Sequence, residues 1–65
     1  MQPYAVRQFS QAQIMPYLQS ISAQDTGKVS KSGNKVLYSR STKYYIEVAK
    51  HGYEYWLYYY QRCPC

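Results

Sequence analysis

Few residues in this 65-residue chain are able to do bond-making chemistry, and their spacing argues against it. The single histidine, His51, precedes Gly52 in a break between two strand-like runs, where a turn accounts for it. Glu47 and Glu54 flank that break. With His51-Gly52 as a two-residue loop, they fall diagonally on one hairpin face, roughly 7–8 Å apart. That is a separation used for acid and base in inverting glycoside hydrolysis, but so short a chain leaves little material for a substrate cleft. Cys63 and Cys65 stand around Pro64 at the end. About ten strand residues, roughly 30 Å, separate them from the loop, so His51 cannot share an ion with them. Two thiols alone do not complete a tetrahedral zinc site. No enzymatic activity, cofactor or metal is expected.

What the residue types do offer is a binding surface. The chain holds ten tyrosines and one tryptophan, and it carries a net charge of +5. Tyrosine supplies large contact area at low entropic cost and keeps a polar tip. The charge is uneven. Residues 1–27 contain only Arg7 and Asp25, which cancel, so residues 28–65 hold the whole excess against Glu47 and Glu54. A concentrated basic half is the electrostatic footprint of a surface for nucleic acid or an acidic partner.

The elements that must position these residues centre on Lys43 to Gln61. Two runs rich in aromatic and β-branched residues, KYYIEVAK and YEYWLYYYQ, read as a hairpin around His51-Gly52. This loop sets Val48 opposite Tyr55, Ile46 opposite Leu57, Glu47 opposite Trp56, Tyr45 opposite Tyr58 and Lys43 opposite Tyr60. Upstream, Ser32-Gly33-Asn34 is a turn signal and Ser41-Thr42 a weaker one. Gly33-Asn34 as a loop pairs Val29 with Tyr38; Ser41-Thr42 as a loop pairs Leu37 with Ile46 and Tyr38 with Tyr45. Strands are expected near 28–32, 35–40, 43–50 and 53–61.

Residues 1–9 read as an arm or a short edge strand, and residues 10–24 as a helix. Ser10 with Gln13 forms a capping box, and Phe9 with Ile14 a hydrophobic staple. Ile14, Leu18 and Ile21 form one apolar stripe. Pro16 removes a helical hydrogen bond at about 3 kcal/mol, so one kinked helix from about Gln11 to Ala23 is expected, closed by Asp25-Thr26-Gly27. The fold class expected is α+β: one N-terminal helix on one face of a three- to four-stranded antiparallel meander spanning 28–61, in a single domain with a 62–65 tail.

Alternation gives this sheet two distinct faces. One holds the aliphatic residues, with Leu37, Ile46, Val48 and Leu57, and receives the helix stripe. The other holds Tyr38, Arg40, Lys43, Tyr45, Trp56, Tyr58, Tyr60 and Arg62, with Tyr38, Tyr45 and Tyr58 in a row. These eight residues are the expected binding site. Rings interleaved with cations suit stacked bases and phosphates, at about 1–3 kcal/mol per stacked base. The function expected is therefore nucleic-acid binding by a small basic protein. The alternative is a protein-interaction module or a small inhibitor of phage or plasmid type, using the same face on a partner or on a second copy.

No apolar run reaches membrane-spanning length, so no membrane partner is expected. A bridge between Cys63 and Cys65 would join nothing, and a reducing cytoplasm with free thiols is expected. The Cys-Pro-Cys end is similar to the prenylated Cys-X-Cys tail of some small GTPases, but the chain has no G-x-x-x-x-G-K-[ST] phosphate loop.

Overall fold

The first element of the chain is a strand, and the helix follows it without a break. A computed structural model describes residues 2–65; Met1, the first residue of the expected arm, lies outside them. The elements are β1 (Ala5–Ser10), α1 (Gln11–Ser20), β2 (Ala23–Val29), β3 (Lys35–Ser39), β4 (Tyr45–His51) and β5 (Glu54–Tyr60). The strands form one antiparallel sheet in the order β1-β5-β4-β3-β2. The α+β class is as expected. Two features differ: there are five strands rather than three or four, and the helix lies between β1 and β2. β2 to β5 form the meander, which β1 extends by pairing Ala5 with Tyr59 and Phe9 with Tyr55.

Ser10 joins strand to helix. Its backbone is extended, with φ −76° and ψ 165°, and its N–H donates to Gln13 Oε1 at 3.2 Å. That is the returning half of the expected capping box. The helix runs through Pro16 as one element but stops at Ser20, short of Ala23. Ser22 takes φ 54°, the left-handed position that glycine usually holds after a helix. Gly27, expected to close the helix, lies inside β2 at φ 76°. There it serves the register shift between Asp25 and Lys28, as glycine does in a bulge. The strand expected at 28–32 therefore begins at Ala23.

Turn geometry decides the registers. In the β2–β3 turn the Gly33 N–H donates to Ser30 O at 2.9 Å and the Ser30 N–H to Asn34 O at 2.8 Å. The loop is Lys31-Ser32-Gly33, not Gly33-Asn34, and it pairs Val29 with Lys35 rather than with Tyr38. The β3–β4 register is as expected, with Leu37 opposite Ile46 and Tyr38 opposite Tyr45. In the last hairpin the loop is Gly52-Tyr53, with Gly52 at φ 62°. Glycine at the first loop position, with φ > 0, is the requirement of a type II′ turn. Val48 thus faces Leu57, Ala49 faces Trp56 and Tyr45 faces Tyr60. The expected register was two residues off, and an even slip leaves every side chain on its expected face.

The core lies between the helix and one sheet face. Ile14 from α1 and Ile21 just beyond it meet Phe9, Ile46, Leu57 and Tyr59, with Leu18, Leu37, Tyr44, Val48 and Tyr55 partly buried beside them. The Phe9 and Tyr17 rings stack at 4.4 Å, and the Arg7 guanidinium lies 5.0 and 5.1 Å from their centroids. Tyr17 and Tyr59 share a hydrogen bond between hydroxyls. Burial first, and that bond second, hold the Tyr59 proton well above the usual tyrosine range.

Cys63 and Cys65 are bridged, with Cα atoms 5.4 Å apart, against the expectation of free thiols. That separation lies within the range a disulfide accepts. With only Pro64 between them, the bridge still joins no two elements. No helix among the described residues is long and apolar enough to cross a membrane.

Candidate functional site

Strand parity sets Tyr38, Tyr45, Trp56, Tyr58 and Tyr60 on the face away from the helix. The order within that face differs from expectation. Tyr38 faces Tyr45, and Tyr45 faces Tyr60, so Tyr60 rather than Tyr58 completes the row. The Tyr38 and Tyr45 rings meet at 4.8 Å and 53°. Tyr58 lies between Glu47 and Val6, and Trp56 between Ala49 and Gln8. Glu47 is therefore not beside Trp56. The His51 ring instead meets Trp56 edge-on at 5.8 Å.

Nor is the face open throughout. Tyr60, Val36, Ala49 and Glu47 are buried on it, while Tyr38, Tyr45, Trp56 and Tyr58 are half-buried. Ser30 to Ser32 of the β2–β3 turn and Cys63 to Cys65 of the tail rise on either side of Glu47 and Tyr60. Together they line a cleft of about 300 Å³.

Glu47 is the hub beneath that cleft. Its Oε2 accepts from Ser30 Oγ and Asn34 Nδ2, each at 2.8 Å. Its Oε1 accepts from the Tyr60 hydroxyl at 3.2 Å. A buried carboxylate is tolerable when donors meet its oxygens, and here all three donors are neutral. The Tyr60 hydroxyl is held above the usual tyrosine range, first by burial and then by the Glu47 charge. Sequence reasoning placed Glu47 on this face but missed the cluster. Ser30 and Asn34 reach Glu47 only through the three-residue loop, which no pattern in the strands specifies.

Glu47 and Glu54 do not have the spacing of roughly 7–8 Å expected of a diagonal pair. Glu54 faces His51, four positions along β4 from Glu47, which is roughly 13 Å of strand.

The cations occupy the rims. Lys43 is not on a strand as expected. It lies with Arg40 in the β3–β4 turn, at φ 66°, and its N–H donates to Ser39 O at 2.8 Å. Arg62 follows β5, at the same end of the sheet as that turn. Lys28 shares the tyrosine face through its pairing with Val36, and Lys31 lies in the β2–β3 turn. All five are exposed. The one ion pair among the described residues is Lys35 with Asp25, at 3.4 Å on the helix side.

Comparison of this chain with family models, with curated proteins and with solved structures finds no match.

Proposed function

We propose that this protein binds nucleic acid across the sheet face away from the helix. The observation that carries the reading is the set of exposed cations, Lys28, Lys31, Arg40, Lys43 and Arg62, none in an ion pair among the described residues, which stand on β2, in two turns and after β5 beside half-buried aromatic rings. Phosphates would meet the cations, and unpaired bases would stack on Tyr38, Tyr45, Trp56 and Tyr58. Tyr60 supports this surface from below rather than contacting a base, because its ring is buried and its hydroxyl is engaged by Glu47. The protein is then a binding protein without enzymatic chemistry. The reading goes with a location in the cytoplasm, where Cys63 and Cys65 would be reduced and no element would lose its hold.

One observation favours a second reading, in which the same face binds a partner protein or another copy. Val6 is 46% exposed and lies opposite Tyr58 on the free edge strand β1, which widens the aromatic patch with an apolar margin.

Fluorescence anisotropy with labelled single-stranded and duplex oligonucleotides separates the two. Nucleic-acid binding is expected at low salt, with affinity dropping steeply between about 50 and 200 mM as counterions return to the phosphates. Failure to bind either oligonucleotide at low salt overturns the first reading. A dimer on a sizing column would favour the second.

A further inference from the structure

The helix cannot cover the face on which it packs. Ten helical residues span about 15 Å, whereas five strands are about 19 Å across. Because α1 leaves from the end of β1 and arrives at the start of β2, the opposite edge strand, it crosses the sheet obliquely. Beside it, over the ends of β3 and β4, a cleft of about 870 Å³ is left. Its floor and wall are Ile14, Leu18, Leu37, Val48 and Tyr55, with Met15 at the lip. Met15 is 59% exposed, an unbranched side chain able to fold over an occupant of varied shape.

One rim of the cleft is cationic. Lys35 faces Val48 across the β3–β4 pair, and Lys50 is two residues beyond Val48 on the same side. The two stand diagonally, about 7–8 Å apart by strand geometry. Lys35 is paired with Asp25. Lys50 has no carboxylate partner among the described residues; its ammonium lies 5.9 Å from the centroid of the Tyr55 ring. The helix rim opposite offers the uncharged Gln11 and Gln19.

From this arrangement we infer a binding site for an alkyl carboxylate, its chain in the apolar cleft and its head group at Lys50. The volume is that of small-molecule sites, which run to several hundred Å³; Asp25 also lines the cleft, its charge met by Lys35. The one unpaired charge at the rim sets the sign of the head group. A second copy of the chain is a poorer occupant, since it brings a net +5 charge to a cationic rim. The site lies on the opposite face from the proposed nucleic-acid surface and stands or falls separately from it.

The test uses the full chain labelled with ¹⁵N and titrated with decanoate below its micelle concentration, beside decyltrimethylammonium as a tail of the same length with opposite charge. Expected are saturable shifts at Leu18, Leu37, Val48 and Tyr55 with decanoate, and weaker binding of the ammonium. Lys50→Gln, at an exposed position that leaves the fold intact, is expected to weaken decanoate about two- to five-fold, the equivalent of one contact between charges near the surface. Absence of saturable shifts overturns the inference. So do shifts centred on Trp56 and Tyr58, equal binding of the ammonium, or an unchanged decanoate affinity in Lys50→Gln.

Discussion

Tyr60 donates its hydroxyl to Glu47 Oε1 at 3.2 Å from the neighbouring strand, at a point where both side chains are buried. Through this bond the face away from the helix gains a small polar centre of its own. Ser30 and Asn34 complete it from the β2–β3 turn, so one carboxylate ties a turn, a central strand and the end of β5 together.

Removing that carboxylate leaves three donors without their acceptor. Glu47→Ala is expected to destabilise the fold by at least about 2 kcal/mol, because each buried donor left unmet costs about 1–3 kcal/mol. Glu47→Gln keeps one oxygen and should lose less. It also removes a negative charge from beneath the proposed surface, so it should bind single strands more tightly than the parent. Urea midpoints and anisotropy check the two halves; equal midpoints for Ala and parent would refute the first.

Ile46 is fully buried on β4 and belongs to the core beneath the helix. Ile46→Ala should destabilise by about 2–5 kcal/mol, which in a chain this short can abolish the folded state. Val6→Ala, at an exposed edge position, should shift stability by less than about 0.5 kcal/mol. Thermal melts followed by circular dichroism compare them. A retained transition in Ile46→Ala would contradict the core described above.

Alkaline pH should weaken the fold through Tyr59 and Tyr60. Both hydroxyls hold their protons more tightly folded than unfolded, chiefly because they are buried. Above the unfolded tyrosine value of about 10, the folded chain binds more protons, and stability falls as pH rises. Below that value the contribution is whole. Tyr59→Phe should therefore lose less stability than the parent between pH 9 and pH 11, as read from urea midpoints. Equal losses would count against the assignment.

Lys43 combines a strained backbone with a proposed phosphate contact. A non-glycine residue in the left-handed region carries roughly 1–2 kcal/mol of strain, and Lys43 has φ 66°. Lys43→Gly should raise stability by up to about 1 kcal/mol while weakening oligonucleotide binding. Stability and affinity would then move in opposite directions, which a global folding defect cannot produce.

Two further variants separate charge from stacking. Lys43→Ala should weaken binding to every sequence and reduce the salt slope by about one. Trp56→Ala should weaken single-strand binding by roughly 1–3 kcal/mol with the slope nearly unchanged, since stacking releases no counterions. Anisotropy across a salt series reads both, and folded variants that bind as well as the parent would remove these residues from the site.

From the sequence by itself, the pattern of side chains decided which residues share a face. Alternation in β4 and β5 put Ile46, Val48 and Leu57 on one side and Tyr45, Trp56 and Tyr58 on the other. That assignment survived a two-residue error in register, because the side-chain period of a strand is two. Ser10, Gln13, Phe9 and Ile14 likewise marked the start of the helix through local hydrogen bonding and packing. Tertiary structure decided what local signals leave open. β1 is a strand because β5 offers it an edge, a contact between the two ends of the chain. Gly27 relieves a bulge rather than a helix terminus, because β2 pairs with β3 on both sides of it. Whether Gly52 takes the first or second loop position sets which tyrosine completes the row. Glu47 gains Ser30 and Asn34 as hydrogen-bonding partners only once the β2–β3 turn is folded over it, a condition that no single strand encodes.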